Sequence, residues 1–276
     1  MDLTDINELK TALQLAGLRA NKNLGQHFLV DRDSLIAVME SGELTPKDTV
    51  VEIGPGLGVM TVPLTEKVSK VIAVELDEQL AEILNRHEVA NLEVWQKDVR
   101  ELDLSGLPKG YKVVANIPYY LTSPIFRLFL ESKNRPKLMS LLIQKEVAQR
   151  ICAEPGQMTV LALSVQYYGK PSYIQTVERH KFWPAPKVES AIIQVKVYDQ
   201  PAFEADASKL FRLIKAGFGE RRKMLKNSLA GGLNISIELA IYLIGGAKIS
   251  PTARAQELSL SEWERLYAQV MKQELL

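Results

Sequence analysis

The stretch TVVEIGPGLG, residues 49–58, joins an apolar, β-branched run to a turn with glycine at 54, 56 and 58. The run reads as a strand, and the glycines let the backbone after it approach a ligand closely. Similar apolar runs follow at KVIAVE (70–75), LEVW (92–95), KVVAN (112–116) and LMSLLI (138–143), with amphipathic stretches such as 77–86 and 122–131 between them. That alternation predicts βαβ units and a mainly parallel sheet with helices on both faces. SYIQTVE (172–178) and SAIIQVKVY (190–198), on either side of FWPAP, supply two further strands expected to pair antiparallel, which makes seven. MTVLALSVQYY (158–168) fits strand or helix by periodicity alone and is read as a helix joining strands five and six. From Tyr198 a linker, YDQPAFEADAS (198–208), leads into a segment of helical spacing with no strand-like run. The expected organisation is α/β: a sheet domain over 1–200 and a small all-helical domain over 201–276.

Composition narrows the function classes. The chain has 276 residues, 46% hydrophobic and 24% charged, enough to bury a core unaided. Its single cysteine, Cys152, rules out an internal disulfide, and the three histidines, His27, His87 and His180, have no metal-binding spacing. No metal is expected. The opening MDLTDINELK is acidic where a signal peptide is basic, and no apolar stretch is long enough to span a bilayer, so a cytoplasmic protein without membrane contact is expected. Net charge is only +1, yet between Lys209 and Lys226 seven basic residues face a single acid, Glu220. Such a run is either a solvated helix face or a phosphate-contacting patch.

Carboxylates surround the glycine turn. Glu52 lies just before it, and Glu75 ends the second strand, where a carboxylate can accept the ribose hydroxyls of an adenine cofactor. Asp98 follows the third strand at the same sheet edge, either as a turn cap or as the acceptor for an adenine amino group. Three carboxylates would repel a dinucleotide pyrophosphate but suit a ligand carrying ammonium and sulfonium charges. S-adenosylmethionine is such a ligand.

Strand four ends in Asn116-Ile117-Pro118-Tyr119. An exocyclic adenine amine is a poor nucleophile because its lone pair is delocalised into the ring. Two acceptors aimed at its N–H bonds would localise that pair, and the Asn116 amide oxygen supplies one. Pro118 donates no N–H and keeps Ile117 extended, so the Ile117 carbonyl can supply the second. Tyr119 offers a face on which an extruded base can stack. The alternative is a proline-terminated strand with an ordinary turn and a core tyrosine.

With these residues the chain resembles a known family. NLGQHFL (23–29), Glu52 to Gly58, Asn116 to Tyr119, QKEVAQR (144–150) and FWPAPKV (182–188) occur in the order found in the ribosomal RNA adenine dimethyltransferases of the small-subunit type. The resemblance spans roughly residues 20 to 265. It implies a Rossmann-like class I methyltransferase sheet and S-adenosylmethionine as methyl donor. The matching cofactor contacts are Gln26, His27, Leu29, Glu52, Gly54, Gly56, Glu75, Asp98 and Asn116. Phe182 matches an aromatic that covers the target base opposite Tyr119, and Arg221, Arg222 and Lys223 become candidate RNA contacts. The implied substrate is a pair of adjacent adenosines in a hairpin loop near the small-subunit RNA 3′ end, carried by a pre-ribosomal particle and met by a monomeric enzyme. Two places depart from the family pattern: the loop 155–160 and Gln256. Competing readings are a large-subunit methylase of the antibiotic-resistance type, a DNA adenine methylase, a nicotinamide-dependent oxidoreductase and a non-catalytic ribosomal RNA-binding assembly factor.

Overall fold

The computed structural model describes residues 1–20, 25–220 and 222–276. Asn23 and Leu24 of the NLGQHFL segment, and Arg221, lie outside the described residues. The chain packs into two compact units, residues 1–148 with 170–197 and residues 149–169 with 198–276.

The first unit holds the sheet. A short strand β1 (Phe28–Leu29) precedes β2 (Thr49–Ile53), β3 (Lys70–Glu75), β4 (Leu92–Gln96), β5 (Lys112–Asn116), β6 (Leu138–Gln144), β7 (Gly169–Val177), β8 (Phe182–Trp183) and β9 (Ser190–Val197). Seven of them form one sheet in the order β4-β3-β2-β5-β6-β9-β7. All seven expected strands are present. β2 is parallel to β3 and β5, β3 to β4, and β5 to β6, while β9 runs antiparallel to β6. The central strands are buried on both faces, which is why they read as unbroken Val/Ile runs. Pro171 is tolerated because β7 is an edge strand with no ladder partner to feed on its outer side.

Helices flank the sheet: α1 (Ile6–Leu15), α2 (Arg32–Ser41), α3 (Thr61–Thr65), α4 (Glu78–Asn85) and α5 (Thr122–Leu130), while α6 (Lys145–Ile151) starts in this unit and ends in the second. Asp5, Asp31 and Asp77 cap α1, α2 and α4 by accepting backbone N–H bonds of the first turn. The ribbon of β1 and β8, pairing Phe28 with Trp183 and Leu29 with Phe182, has no counterpart in the sequence reading. Two-residue strands carry no periodicity to detect.

Register fixes the site. Ile53 pairs with Val74 on one side and with Ala115 on the other, so the next residues, Gly54, Glu75 and Asn116, stand at one level on the carboxyl edge. The opposite edge is clamped by Asp48. Its backbone oxygen accepts from the Ser69 and Lys70 amides at the start of β3, and its carboxylate receives the buried Lys112 ammonium at the start of β5 at 2.9 Å.

The second unit is helical, with α7 (Val160–Tyr168), α8 (Ala207–Phe218), α9 (Leu225–Leu233), α10 (Ile237–Gly246) and α11 (Leu260–Lys272). Of residues 158–168, Val160–Tyr168 is helical as expected, but this segment groups with the C-terminal helices rather than with the sheet. Tyr167 explains this allegiance, meeting Phe203 and Phe211 edge-on at centroid separations of 5.1 and 5.8 Å. Trp263, fully buried, stacks on Phe218 at 5.9 Å. The two departures from the family pattern touch each other, since the Gln256 carbonyl accepts from the Gly156 and Met158 amides. No single described helix is long and apolar enough to cross a membrane.

Burial works to raise the Asp48 carboxyl, but Lys112 and the Thr45 bonds outweigh it and hold it below the ordinary carboxylate range. Its stabilising contribution is therefore complete above the unfolded-state value near 4 and is lost as pH falls through the lowered folded value. Lys112→Ala is expected to cost about 3 kcal/mol at neutral pH. The variant's stability should also fall less steeply below pH ~4, measured by urea unfolding across that range.

Candidate functional site

The turn after β2 is built on left-handed backbone. Gly54 and Gly56 have φ of +64° and +59°, and a Cβ on Gly56 would stand 2.9 Å from the Phe28 ring. Only glycine combines that conformation with that approach. The Gly56 amide donates to Glu75 Oε2 at 3.1 Å and the Asp77 amide to Oε1 at 3.0 Å, which aims the carboxylate along the edge. Burial raises the Glu75 carboxyl above its ordinary value. Glu52 is 1% exposed and its Oε2 has no partner among the described residues. Burial, with the nearby Glu75 charge in the same direction, pushes its carboxyl up to about 8. An unpartnered buried carboxyl in a cavity wall can hydrogen-bond a ligand while neutral and pair with a cation once ionised.

Asn116 sits at the tip of β5. Its Nδ2 donates to the His27 carbonyl at 3.0 Å. A carbonyl can only accept, so this bond fixes which end of the amide is nitrogen and leaves Oδ1 as the acceptor offered to the cavity that Asn116 lines. His27 is itself anchored, because its Nδ1 bonds the Pro184 carbonyl at 2.6 Å and must be the donor. Its ring lies 26° from the plane of Tyr119 at a centroid distance of 6.0 Å. The Tyr119 hydroxyl bonds Ser190 Oγ at 2.8 Å, which locks the ring's orientation. Ile117 is buried and donates its amide to the Leu142 carbonyl at 3.1 Å. Pro118 leads into a single 3₁₀ turn, Tyr119–Leu121.

One cavity thus gathers Gln26, His27, Leu29, Glu52, Gly54, Gly56, Glu75 and Asn116 to Tyr119. A second shares Gln26, Gly54, Glu75 and Pro118 with it and adds Leu76, Asp98, Arg100 and Tyr120. Of the two roles the sequence allowed Asp98, the turn cap is the one its hydrogen bonds display. It caps a 3₁₀ turn through the Arg100 amide at 2.9 Å, and it lines the second cavity. The Arg100 guanidinium grips both of its oxygens and holds the carboxyl below its ordinary range.

Phe182 stands apart. It is 3% exposed within an apolar cluster with Leu29, Leu35 and Val38, and it lines neither cavity. The ring facing Tyr119 belongs to His27. Arg222 and Lys223 are exposed in the second unit, between α8 and α9, and Lys223 pairs with Glu220. Among the described residues, no cluster of His, Cys, Asp and Glu could hold a metal ion. Sequence reasoning missed the His27 carbonyl, Ser190 and Arg100. Only Arg100 left a signal, as a cation two positions after a candidate acid.

Residues 17–273 match the family model described as ribosomal RNA adenine dimethylase. The chain belongs to that family. A ribosomal RNA small subunit methyltransferase A from Dehalococcoides mccartyi (strain CBDB1) is 42% identical over 90% of this chain and 88% of its own. One of the same name from Alkaliphilus metalliredigens is 38% identical over 96% of both. Among solved structures, a dimethyladenosine transferase from Plasmodium falciparum shares the fold with a TM-score of 0.80 at 23% identity, over 90% of this chain and 98% of that one. The 23S rRNA methyltransferase ErmE gives 0.73 at 25%, over 88% and 99%. Family membership makes the chain a ribosomal RNA adenine methyl-transferring enzyme on a Rossmann-like sheet, and sets aside the oxidoreductase and purely structural readings. The higher identities to small-subunit enzymes than to ErmE favour the small-subunit type.

Gly56→Ala should destabilise the first unit by about 1–3 kcal/mol through overlap with Phe28. Adding Phe28→Leu should restore only part of the loss, because the left-handed φ remains. Urea midpoints of the single and double variants would measure both contributions.

Proposed function

We propose that this enzyme transfers methyl groups from S-adenosylmethionine to the exocyclic nitrogens of two adjacent adenosines in the 3′-terminal hairpin loop of small-subunit ribosomal RNA, giving dimethyladenosine. It would act as a monomer on a pre-ribosomal particle in the cytoplasm. The observation that carries the reading is the Asn116 amide, turned by the His27 carbonyl so that its oxygen is the end left to accept, level with Gly54 and Glu75.

The residues fit the cofactor. Glu75 would take the ribose hydroxyls, Asp98 the adenine amine, and the buried orphan Glu52, with Gln26, His27 and Leu29, the charged methionine end, while Gly54 and Gly56 keep the backbone clear. When bound, S-adenosylmethionine supplies a methyl made electrophilic by its positive sulfur. The chain does the rest. Asn116 Oδ1 and the Ile117 carbonyl would accept from the target amine and localise its lone pair, and Asn116 is already oriented for this by its bond to the His27 carbonyl. Tyr119, held by Ser190, gives the extruded base its stacking face. After the first methylation one N–H remains to donate, and one acceptor still holds the amine. Phe182 would cover the base only after leaving its apolar cluster. His27 already presents a ring across from Tyr119. Arg221, Arg222 and Lys223 would contact phosphates and position the RNA without reading its sequence.

Asn116→Ala is expected to lower methyl transfer by about 10²–10³-fold while RNA and cofactor binding persist. The assay uses labelled cofactor, unmethylated small-subunit particles and nucleoside analysis; full activity in the variant would remove the assignment, and absence of dimethyladenosine with the unaltered enzyme would remove the function.

Glu52 gives an independent check. Its carboxyl is neutral below about 8, and a cation favours the ionised form. Cofactor affinity should therefore rise with pH up to that value and then level off, with a proton released on binding at neutral pH. Calorimetry in buffers of different protonation enthalpy would register the proton, and Glu52→Gln should abolish both effects.

A further inference from the structure

Tyr119 and Tyr120 are sequence neighbours with opposite surroundings. Tyr119 is partly buried and tied to Ser190, whereas Tyr120 is 53% exposed. The Tyr120 ring rests against the Gly25 backbone, where a Cβ would come 3.6 Å from Cε1. It stands in the wall of the second cavity together with Asp98 and Arg100. Arg100 is 60% exposed and spends its Nε and Nη2 on Asp98, which leaves further guanidinium N–H groups for another anion.

Arg100 also lines a separate groove of about 1040 Å³ on the same unit, whose apolar lining includes Leu102, Leu107 and Leu128. Lys109, Arg127 and Lys133 border it with Arg100, against the acids Asp103 and Glu131. The Arg127–Glu131 pair is a surface contact at 3.2 Å, with Arg127 79% exposed, so it holds Arg127 only weakly. An exposed flat ring, a guanidinium beside it and a groove with excess positive charge leading away are the parts of a single-strand RNA track. An acidic peptide would match the charges but leaves the ring unused.

We propose that Tyr120 is the stacking platform for the nucleotide adjoining the target adenosine, with Arg100 receiving the intervening phosphate and the strand continuing between Lys109, Arg127 and Lys133. This rests on the RNA-methylating reading. It adds a second base seat, set one residue beyond the first.

The test uses the full-length protein and a small-subunit 3′-hairpin RNA carrying 2-aminopurine next to the target adenosine. The unaltered protein should quench the probe by stacking. Tyr120→Ala should remove the quench and weaken RNA binding roughly 5- to 100-fold, the range expected for one lost base–aromatic stack. Tyr120→Phe should restore both, and in Tyr120→Ala the calorimetric affinity for S-adenosylmethionine should fall far less than the affinity for RNA. Quenching that survives Tyr120→Ala, or a loss of cofactor affinity with RNA binding intact, would overturn the proposal; the latter result would assign the ring to the cofactor cavity. Neutralising Lys109, Arg127 and Lys133 together should flatten the salt dependence of RNA binding, and an unchanged slope would refute the groove as the strand's path. Failure of the unaltered protein to methylate RNA is a separate result, which would strike the parent reading before any variant is made.

Discussion

The parallel register of β2 with its two neighbours is the constraint from which the site follows. Because Ile53 faces Val74 and Ala115, the glycine turn, the Glu75 carboxylate and the Asn116 amide emerge side by side from three strands. A slip of one residue in β3 or β5 would send the polar tip to the other face of the sheet. The register is held from the far edge, where Asp48 bonds the first residues of β3 and the Lys112 ammonium of β5. A buried ion pair about the length of a strand away thus serves the site by keeping three strand ends level.

The second layer of organisation comes from a ribbon of four residues. β1 and β8 bring His27 to the strand tips, where it makes three contacts. Its carbonyl orients Asn116, its Nδ1 bonds Pro184, and its ring lies alongside Tyr119. Phe28, next in sequence, packs against the space that Gly56 leaves by having no side chain. The histidine is thus an orienting element whose backbone matters as much as its imidazole.

Much of this was legible in the sequence because it rests on periodicity and on residues with narrow conformational habits. The buried strands announce themselves as Val/Ile runs, the turn as alternating glycines, and the strand-tip tetrapeptide as an asparagine held by a proline. What was not legible depends on partners remote in sequence. Nothing in residues 27 and 116 tells that one's carbonyl meets the other's amide, and Ser190 is anonymous until the fold brings it to Tyr119. The helix at 160–168 was legible, but its companions were not, since its apolar faces suit either a sheet or the aromatic cluster of Phe203 and Phe211 that it joins. Phe182 shows how motif and environment can diverge: the motif marks a base-facing aromatic, while burial places the ring among aliphatic side chains.

The ribbon ties residues 28 and 29 to 182 and 183, across most of the first unit. During vectorial synthesis the glycine turn and the Asn116 tip leave the exit tunnel long before the segment that anchors His27. A nascent chain stopped short of Pro184 would thus have its glycine turn without the contact that anchors His27, whose carbonyl turns Asn116. The ribbon can close only once residues 182 and 183 have been made.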